Sequence, residues 1–146
     1  MPLPQFNHVG DLPPGVHQAT LDEVVGRFSG ETACRVACTQ RLIHAVDLAR
    51  RTGHLQRLIV FGSYITAKSE PNDVDIILVM RDTFRLPECP AESAGLFDHP
   101  LAQARYGVSI FWIRPGMLIE ETVEEFIQYW QIKRGGAKRG IVDVTI

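Results

Sequence analysis

Residues 61–77 read Phe-Gly-Ser-Tyr-Ile-Thr-Ala-Lys-Ser-Glu-Pro-Asn-Asp-Val-Asp-Ile-Ile, and this stretch decides the fold that the sequence predicts. An apolar strand runs into Gly62-Ser63, and after a short loop Asp73 and Asp75 alternate with aliphatic residues. Because alternate side chains of a strand point to the same face, we predict that both carboxylates share one face. The stretch therefore predicts a backbone turn suited to phosphate next to a pair of acidic side chains.

The composition is that of an ordinary globular protein. The 146 residues are 45% hydrophobic and 22% charged, and the formal net charge is −2. This length predicts one domain with a proper core, and the charge excludes a global basic field for nucleic acid. The three cysteines and the lack of a secretory signal predict a cytoplasmic protein. No apolar run approaches the roughly 20 residues of a membrane span, so we expect no membrane partner.

Turn residues and apolar periodicity predict a single α/β (α+β) domain with helices packed on a mixed sheet. Residues 1–19 are rich in proline and glycine, and we predict an extended N-terminal arm there, with no helix or regular strand. The domain itself is predicted over residues 20–146, and it begins with a capping box formed by Thr20 and Glu23. Predicted helices cover 20–28, 32–51 and 119–134, with a shorter one near 100–105, and predicted strands cover 58–61, 74–80, 108–113 and 141–146.

Helical spacing also predicts which side chains are buried. In the helix over 119–134 the predicted core stripe begins at Ile119 and ends at Trp130. Cys34 and Cys38 lie four residues apart, and we predict that both are buried thiols. Trp112 is interpreted as a core residue, with the border of a base-stacking pocket as the alternative.

The Gly-Ser turn and the two aspartates favour metal and phosphate chemistry when they occur together. Gly62 has no β-carbon to block a ligand, and Ser63 offers a hydroxyl and an N–H to phosphate oxygens. The repulsion between Asp73 and Asp75 is relieved if a divalent cation binds, and oxygen ligands suit Mg²⁺ or Mn²⁺. Each half alone is common in solvated turns and edge strands. A buried strand that begins with two carboxylates favours the metal site.

The same residues resemble a known signature. Phe61-Gly62-Ser63, nine intervening residues and Asp73-Val74-Asp75-Ile76 resemble the motif of the nucleotidyltransferase superfamily of the DNA polymerase β type. A wider similarity, to a bacterial family of small nucleotidyltransferase-like domains, is carried by Leu12–His17, Ala19–Glu23 and Lys138–Val142.

This resemblance implies a nucleotidyltransferase-type fold and a metal-dependent nucleotide site. In it Asp73 and Asp75 would bind metal ions that bridge the phosphates, and Gly62-Ser63 would hold the triphosphate. The implied reaction moves a nucleoside monophosphate from a nucleoside triphosphate to an acceptor, which is a protein, an RNA or a small molecule, by the two-metal pattern. Lys68 is the nearest cation, and it either contacts a phosphate or is a solvated loop lysine.

One element of the superfamily pattern is missing. The neighbouring strand usually supplies a third carboxylate, and the expected position here is Ser109. Asp143, Asp98 and His99 are the groups that would compensate. The alternative function is therefore a catalytically degenerate binding module that senses nucleotide or docks a protein partner, in the manner of an antitoxin, or a second copy of the chain.

The segment 133–139 contains four cations. Lysine and arginine favour helix C-termini for electrostatic reasons, so a helix end is the simpler interpretation. A phosphate or nucleic-acid contact is the alternative.

Overall fold

A mixed five-stranded sheet organises residues 3–146, the part of the chain that the computed structural model describes. Its strands are β1 (Val16–Thr20), β2 (Leu55–Phe61), β3 (Val74–Met80), β4 (Val108–Ile113) and β5 (Ile141–Thr145). The helices are α1 (Leu21–Phe28), α2 (Ala33–Arg50), α3 (Ala91–Ala94), α4 (His99–Tyr106) and α5 (Val123–Tyr129). The predicted mixed α/β single domain is confirmed.

The strand order is β1-β5-β2-β3-β4. Strand β5 runs parallel to β1 and antiparallel to β2, while β3 runs antiparallel to β2 and parallel to β4. Two registers position the candidate site: Phe61 of β2 pairs with Asp75 of β3, and Asp75 pairs with Ser109 of β4. The end of β2 and the starts of β3 and β4 therefore meet at one edge of the sheet.

The core surrounds β3, whose residues 76–80 are each at most 1% exposed. A strand is apolar along its whole length when both faces of the sheet are covered. Helix α2 packs against β2 and β3 and contributes the buried residues Leu42, Ala45, Val46 and Ala49. On the face of Asp75, the ring of Trp130 after α5 packs on Phe61 at a centroid distance of 4.9 Å.

The first two helices begin where the sequence predicts. The Thr20 hydroxyl accepts from the Glu23 N–H, and the Glu23 carboxylate accepts from the Thr20 N–H, which is the predicted capping box of α1. Thr32 is the N-cap of α2, and its hydroxyl accepts from the N–H of Arg35. Both caps satisfy N–H groups that the helix itself leaves without a partner.

The N-terminal arm contains a strand, so the prediction that residues 1–19 form no regular strand is wrong for 16–19. Strand β1 pairs with β5 at the opposite end of the chain. Local propensity does not predict pairing between segments this far apart in the chain. The prolines and glycines before Val16 also favour an irregular segment over a strand. Gly15 anchors the entry, because its carbonyl accepts from the Ile141 N–H and its N–H donates to Gln131. Residues 1 and 2 of the predicted arm lie outside the described residues.

Helix α5 is shorter than predicted. It begins after Thr122, whose hydroxyl forms a capping box with Glu125. Ile119 therefore precedes the helix and is 83% exposed, so its predicted place in the core stripe is wrong. The helix ends at Tyr129, while Trp130, predicted to be buried, packs partly buried against the core.

The prediction of two buried cysteines is correct for Cys38 and wrong for Cys34, which is exposed. The inward face of α2 passes through Arg35, Cys38 and Leu42, at spacings of three and four. Arg35, and not Cys34, takes the buried position in the first turn. Within residues 3–146, none of the helices has the length and apolar character that crossing a membrane requires.

Candidate functional site

Gly62 and Asp75 are in close contact at the end of β2. Gly62 has φ 82° and ψ −163°, a region of backbone space that is essentially restricted to glycine. A β-carbon built on Gly62 would lie 2.0 Å from Oδ2 of Asp75. The Asp75 carboxylate thus occupies the space that a side chain at position 62 would need.

The two aspartates are crowded, and neither forms an ion pair with a described residue. Asp73 directly precedes β3, Asp75 is its second residue, and both are partly buried. Burial raises the pKa of Asp75 to about 6, and the negative charge of Asp73 adds to this rise. Nearby Arg139 and His99 lower it. None of the ion pairs within residues 3–146 includes either aspartate. The ionised form of Asp75 is therefore poorly compensated by the protein itself.

Ser109 stands beside this pair. It pairs with Asp75 across the β3–β4 ladder and is 8% exposed, at the position where the sequence predicts a third carboxylate by resemblance. Its hydroxyl is neutral. Among residues 3–146 there is no group of three or more His, Cys, Asp or Glu side chains arranged to hold a metal ion.

Two of the three predicted compensating groups have other roles. Asp143 on β5 accepts from Arg57, with Nη2 and Oδ2 2.7 Å apart. Asp98 caps α4 by accepting from the Leu101 N–H at 3.1 Å. Neither carboxylate contributes to the pKa shift of Asp75. They therefore do not replace the missing ligand.

His99 is the compensating group whose charge affects Asp75. Its Nδ1 lies 3.0 Å from the Ile110 carbonyl oxygen. Because a carbonyl oxygen only accepts, this contact is a hydrogen bond that Nδ1–H donates. Its ring packs at 5.0 Å from the ring of Phe111.

Two of the three predicted phosphate-binding residues line one cleft, and Gly62 directly precedes it in the chain. Ser63 and Lys68 share a cleft of about 540 Å³ with Arg139, Gly10 and Asp11. Arg139 was not predicted individually as a phosphate-binding residue. It belongs to the 133–139 cluster, for which a helix end was the simpler interpretation. In the structure α5 ends well before that cluster, and the hairpin-like turn after it brings Arg139 back to the loop. Lys133 of the same cluster pairs with Asp11 at 2.7 Å.

Arg35 holds the loop between the Gly-Ser turn and the aspartates, and the sequence analysis missed it. Its guanidinium is almost fully buried and donates to the carbonyl oxygens of Phe28, Tyr64, Thr66 and Lys68. A buried arginine at the core spacing of α2 is the signal that was present in the sequence. A buried cation implies a dedicated set of acceptors.

The aromatic residues near the site are Phe61 and Phe111, and Trp112 is not among them. Phe111 alternates with Ser109 on the face of Asp75, whereas Trp112 pairs with Leu78 on the opposite face. There Trp112 packs edge-on against Phe84 and Phe97. Trp112 packs partly buried against the core, as its core interpretation predicts, and it lies on the face of the sheet opposite Asp75.

A sequence profile of the protein family described as "Family of unknown function (DUF6932)" matches residues 4–145. The chain belongs to this family. The match spans all five strands, and so it includes the Gly62–Asp75 contact, Ser109 and Arg139. No curated protein and no solved structure matches the chain.

Proposed function

We propose that this member of the family is a metal-dependent nucleotide-binding protein that transfers a nucleoside monophosphate from a nucleoside triphosphate to an acceptor. The observation that carries the proposal is the carboxylate pair of Asp73 and Asp75 beside Gly62-Ser63. Protein groups leave the ionised pair poorly compensated, and the pKa of Asp75 rises to about 6. A bound cation would remove this unfavourable interaction.

The residues fit Mg²⁺ or Mn²⁺. Magnesium keeps several waters and binds proteins through one or two carboxylates together with substrate phosphates, so three protein ligands are not required. Asp73 and Asp75 would hold the metal, which when bound would stabilise negative charge on the phosphates and on the leaving pyrophosphate. The metal and the nucleotide are expected to bind together, because the phosphates supply further oxygen ligands to the metal and the metal supplies positive charge to the phosphates.

The cleft beside Gly62 supports the phosphate end of this proposal. Ser63 offers a hydroxyl and an N–H, and Lys68 and Arg139 offer positive charge on the same cleft. Charge-assisted hydrogen bonds to phosphate are stronger than neutral ones. In the transfer, the oxygen of an acceptor hydroxyl forms the new bond to the α-phosphorus, the bond from that phosphorus to the pyrophosphate oxygen breaks, and the hydroxyl proton passes to solvent. The cations of the cleft would stabilise the charge on the departing pyrophosphate.

A second candidate function is a binding module of the same fold that holds nucleotide without transferring it. The observation that favours it is Ser109, a neutral side chain in register with Asp75. The superfamily resemblance implies that the missing carboxylate activates the acceptor. Without it, the site would keep its affinity for a metal-bound nucleotide and lose turnover, and a protein partner or a second copy would read the bound state.

One titration tests both candidates. The protein is titrated with Mg²⁺ and each nucleoside triphosphate while thermal stability and pyrophosphate release are measured, and Asp73→Asn is compared with Asp22→Asn, an exposed aspartate on α1. Nucleotide transfer predicts stabilisation and pyrophosphate release that Asp73→Asn alone abolishes. Stabilisation without pyrophosphate indicates the binding module. No nucleotide effect in the unmodified protein would exclude both.

A further inference from the structure

We infer that Phe111 is the surface on which the base of the bound nucleotide stacks, which makes it a ligand-binding residue of the site. This inference rests on the proposed nucleotide-binding function. It assigns the ligand a second recognition element, an aromatic heterocycle, in addition to the metal-bound phosphates.

The position of Phe111 relative to the carboxylates is fixed by strand register. Ser109 pairs with Asp75, and Phe111 lies two residues further along β4 on the same face. A diagonal neighbour of this kind is about 7–8 Å away between α-carbons, within the reach of an aromatic ring. If a ligand is bound at Asp75 through a metal ion, the part of that ligand beyond the metal-bound group can therefore contact the Phe111 ring.

Phe111 is also unusually exposed for a residue with so many aromatic neighbours. Its side chain is 39% exposed, although its ring lies 5.0 Å from the ring of Trp130 and 5.0 Å from that of His99. These neighbours hold the ring in place without covering it. A ring that is already immobilised loses little side-chain entropy when a ligand stacks on it.

The aromatic row continues to the phosphate turn. Trp130 packs on Phe61 at 4.9 Å, and Phe61 is followed directly by Gly62-Ser63. An aromatic surface that runs from the carboxylates to the phosphate-binding backbone suits a nucleotide, which carries a flat apolar base and an anionic chain. An apolar protein segment would leave the Asp75 carboxylate without a cation and would offer no anion to Lys68 and Arg139 of the cleft, the second of which lies 3.8 Å from Asp11. The structure therefore favours a nucleobase as the occupant.

Stacking has a consequence for specificity. Every base has a π-face, so stacking binds all bases and contributes little to discrimination among them. The inference predicts that the four nucleoside triphosphates bind with similar affinity and that a triphosphate without a base binds more weakly. It also predicts that the loss of nucleotide affinity in variants of Phe111 depends on whether the aromatic ring is kept, and not on the apolar volume of the new side chain.

The experiment compares Mg²⁺-ATP with Mg²⁺-tripolyphosphate by calorimetry on three proteins: the unmodified chain, Phe111→Leu and Phe111→Tyr. Phe111→Leu should weaken ATP binding about tenfold and leave tripolyphosphate binding unchanged, while Phe111→Tyr should retain ATP affinity. Ile43→Ala, at an exposed apolar side chain on α2 that is 43% exposed, is the control and should change neither affinity. Circular dichroism confirms that each variant is folded.

The outcomes separate the inference from the function on which it rests. If the unmodified chain binds tripolyphosphate as tightly as ATP, or if Phe111→Leu loses no ATP affinity, the inference is overturned and the metal-phosphate site stands. If the unmodified chain binds neither ligand, both are overturned. A second readout uses a Trp112→Phe background, in which Trp130 is the only tryptophan. There ATP should change the Trp130 emission and tripolyphosphate should not.

Discussion

Oδ2 of Asp75 lies so close to Gly62 that a β-carbon at position 62 would be only 2.0 Å from it. Any residue other than glycine at this position would therefore clash with the Asp75 carboxylate. The contact joins the end of β2 to the start of β3 and fixes the carboxylate against the backbone turn that leads to Ser63. It makes two features of the sequence interdependent: the glycine of the turn is needed to leave room for the aspartate as well as for its own backbone conformation. This dependence can be measured directly.

Gly62→Ala should destabilise the protein by more than its backbone conformation accounts for. Positive φ costs an alanine about 1–3 kcal/mol, and the clash with Asp75 adds to that cost. Gly53→Ala is the control for positive φ alone, since Gly53 has φ 74° with nothing within 4 Å of an added β-carbon. Urea denaturation should show the larger loss for Gly62→Ala. In an Asp75→Ser background the excess should largely disappear, and equal losses in both backgrounds would show that Asp75 is not the cause.

Asp75→Asn should stabilise the metal-free protein above pH 6 and not at pH 4. The pKa of Asp75 rises from 3.8 to about 6 on folding, so the folded state binds more protons than the unfolded state in that window. Stability of the unmodified protein therefore falls as pH rises through it. The shift corresponds to at most about 3 kcal/mol, and partial exposure reduces this to about 1–2 kcal/mol. Asp73, Arg139 and His99 are the charges that act on Asp75.

The measurement is the free energy of unfolding from pH 4 to pH 8 with EDTA present. Asp22→Asn, at an exposed position of α1, is the control for removing one aspartate carboxylate. A pH profile of Asp75→Asn that is parallel to that of the unmodified protein would show that the Asp75 carboxylate is not crowded. Adding Mg²⁺ should then stabilise the unmodified protein and leave Asp75→Asn unaffected.

The fold was largely readable because its signals are local. The capping box at Thr20, the apolar run of β3 and the alternation at Asp75 and Ser109 each act within a few residues. Strand β1 was missed because what makes it a strand is β5, more than 120 residues later. Ile119 was misplaced because a capping box at Thr122 starts α5 later than apolar spacing suggests.

The candidate site was readable only in part, for the same reason. The Gly-Ser turn and both aspartates form one contiguous motif, so the sequence contains their relationship. Arg139 and His99 lie in distant segments of the chain, and their charges lower the pKa of Asp75. No local sequence pattern indicates this effect. Phe111 is an intermediate case: the alternation of β4 places it on the face of Ser109, but its exposure depends on how α5 covers the sheet.

Arg139 should contribute more to triphosphate binding than the other exposed cations of segment 133–139. It lines the cleft of Ser63 and Lys68, whereas Lys138 is exposed and does not line that cleft. We expect Arg139→Gln to weaken Mg²⁺-tripolyphosphate binding about tenfold, because a charge-assisted phosphate contact contributes about 1.5–3 kcal/mol. Lys138→Gln, the control, should change affinity less than twofold. Calorimetry at two salt concentrations measures this, and equal losses would indicate a nonspecific electrostatic effect.

Ser109→Asp should lower the free energy of unfolding of the metal-free protein and increase its stabilisation by Mg²⁺. The position is 8% exposed and in register with Asp75, so a third carboxylate there adds like charge to a crowded pair. Without metal we expect a loss of about 2–4 kcal/mol in unfolding free energy. With Mg²⁺ the stabilisation should exceed that of the unmodified protein, and pyrophosphate release should rise if the missing carboxylate limits turnover. Ser109→Asn provides the size without the charge, and an equal Mg²⁺ response in both variants would contradict the prediction.

Arg35→Lys should loosen the phosphate loop even though it keeps the charge. The guanidinium donates to the carbonyl oxygens of Tyr64, Thr66 and Lys68 at once, and a single ammonium group lacks the planar fork needed to reach all of them. We expect a loss of about 3 kcal/mol in unfolding free energy and faster amide exchange in residues 63–68. Arg51→Lys, at an arginine whose side chain is 54% exposed, is the control and should change neither quantity.

The amide-exchange pattern separates a local role from a global one. Loss of the carbonyl contacts should raise exchange in residues 63–68 before it raises exchange in β3, since β3 is held by ladders on both sides. Affinity for Mg²⁺-tripolyphosphate should fall in parallel, because Ser63 and Lys68 lie on the loosened segment. If Arg35→Lys raises amide exchange equally in the loop and in β3, Arg35 stabilises the whole domain and does not specifically position the loop.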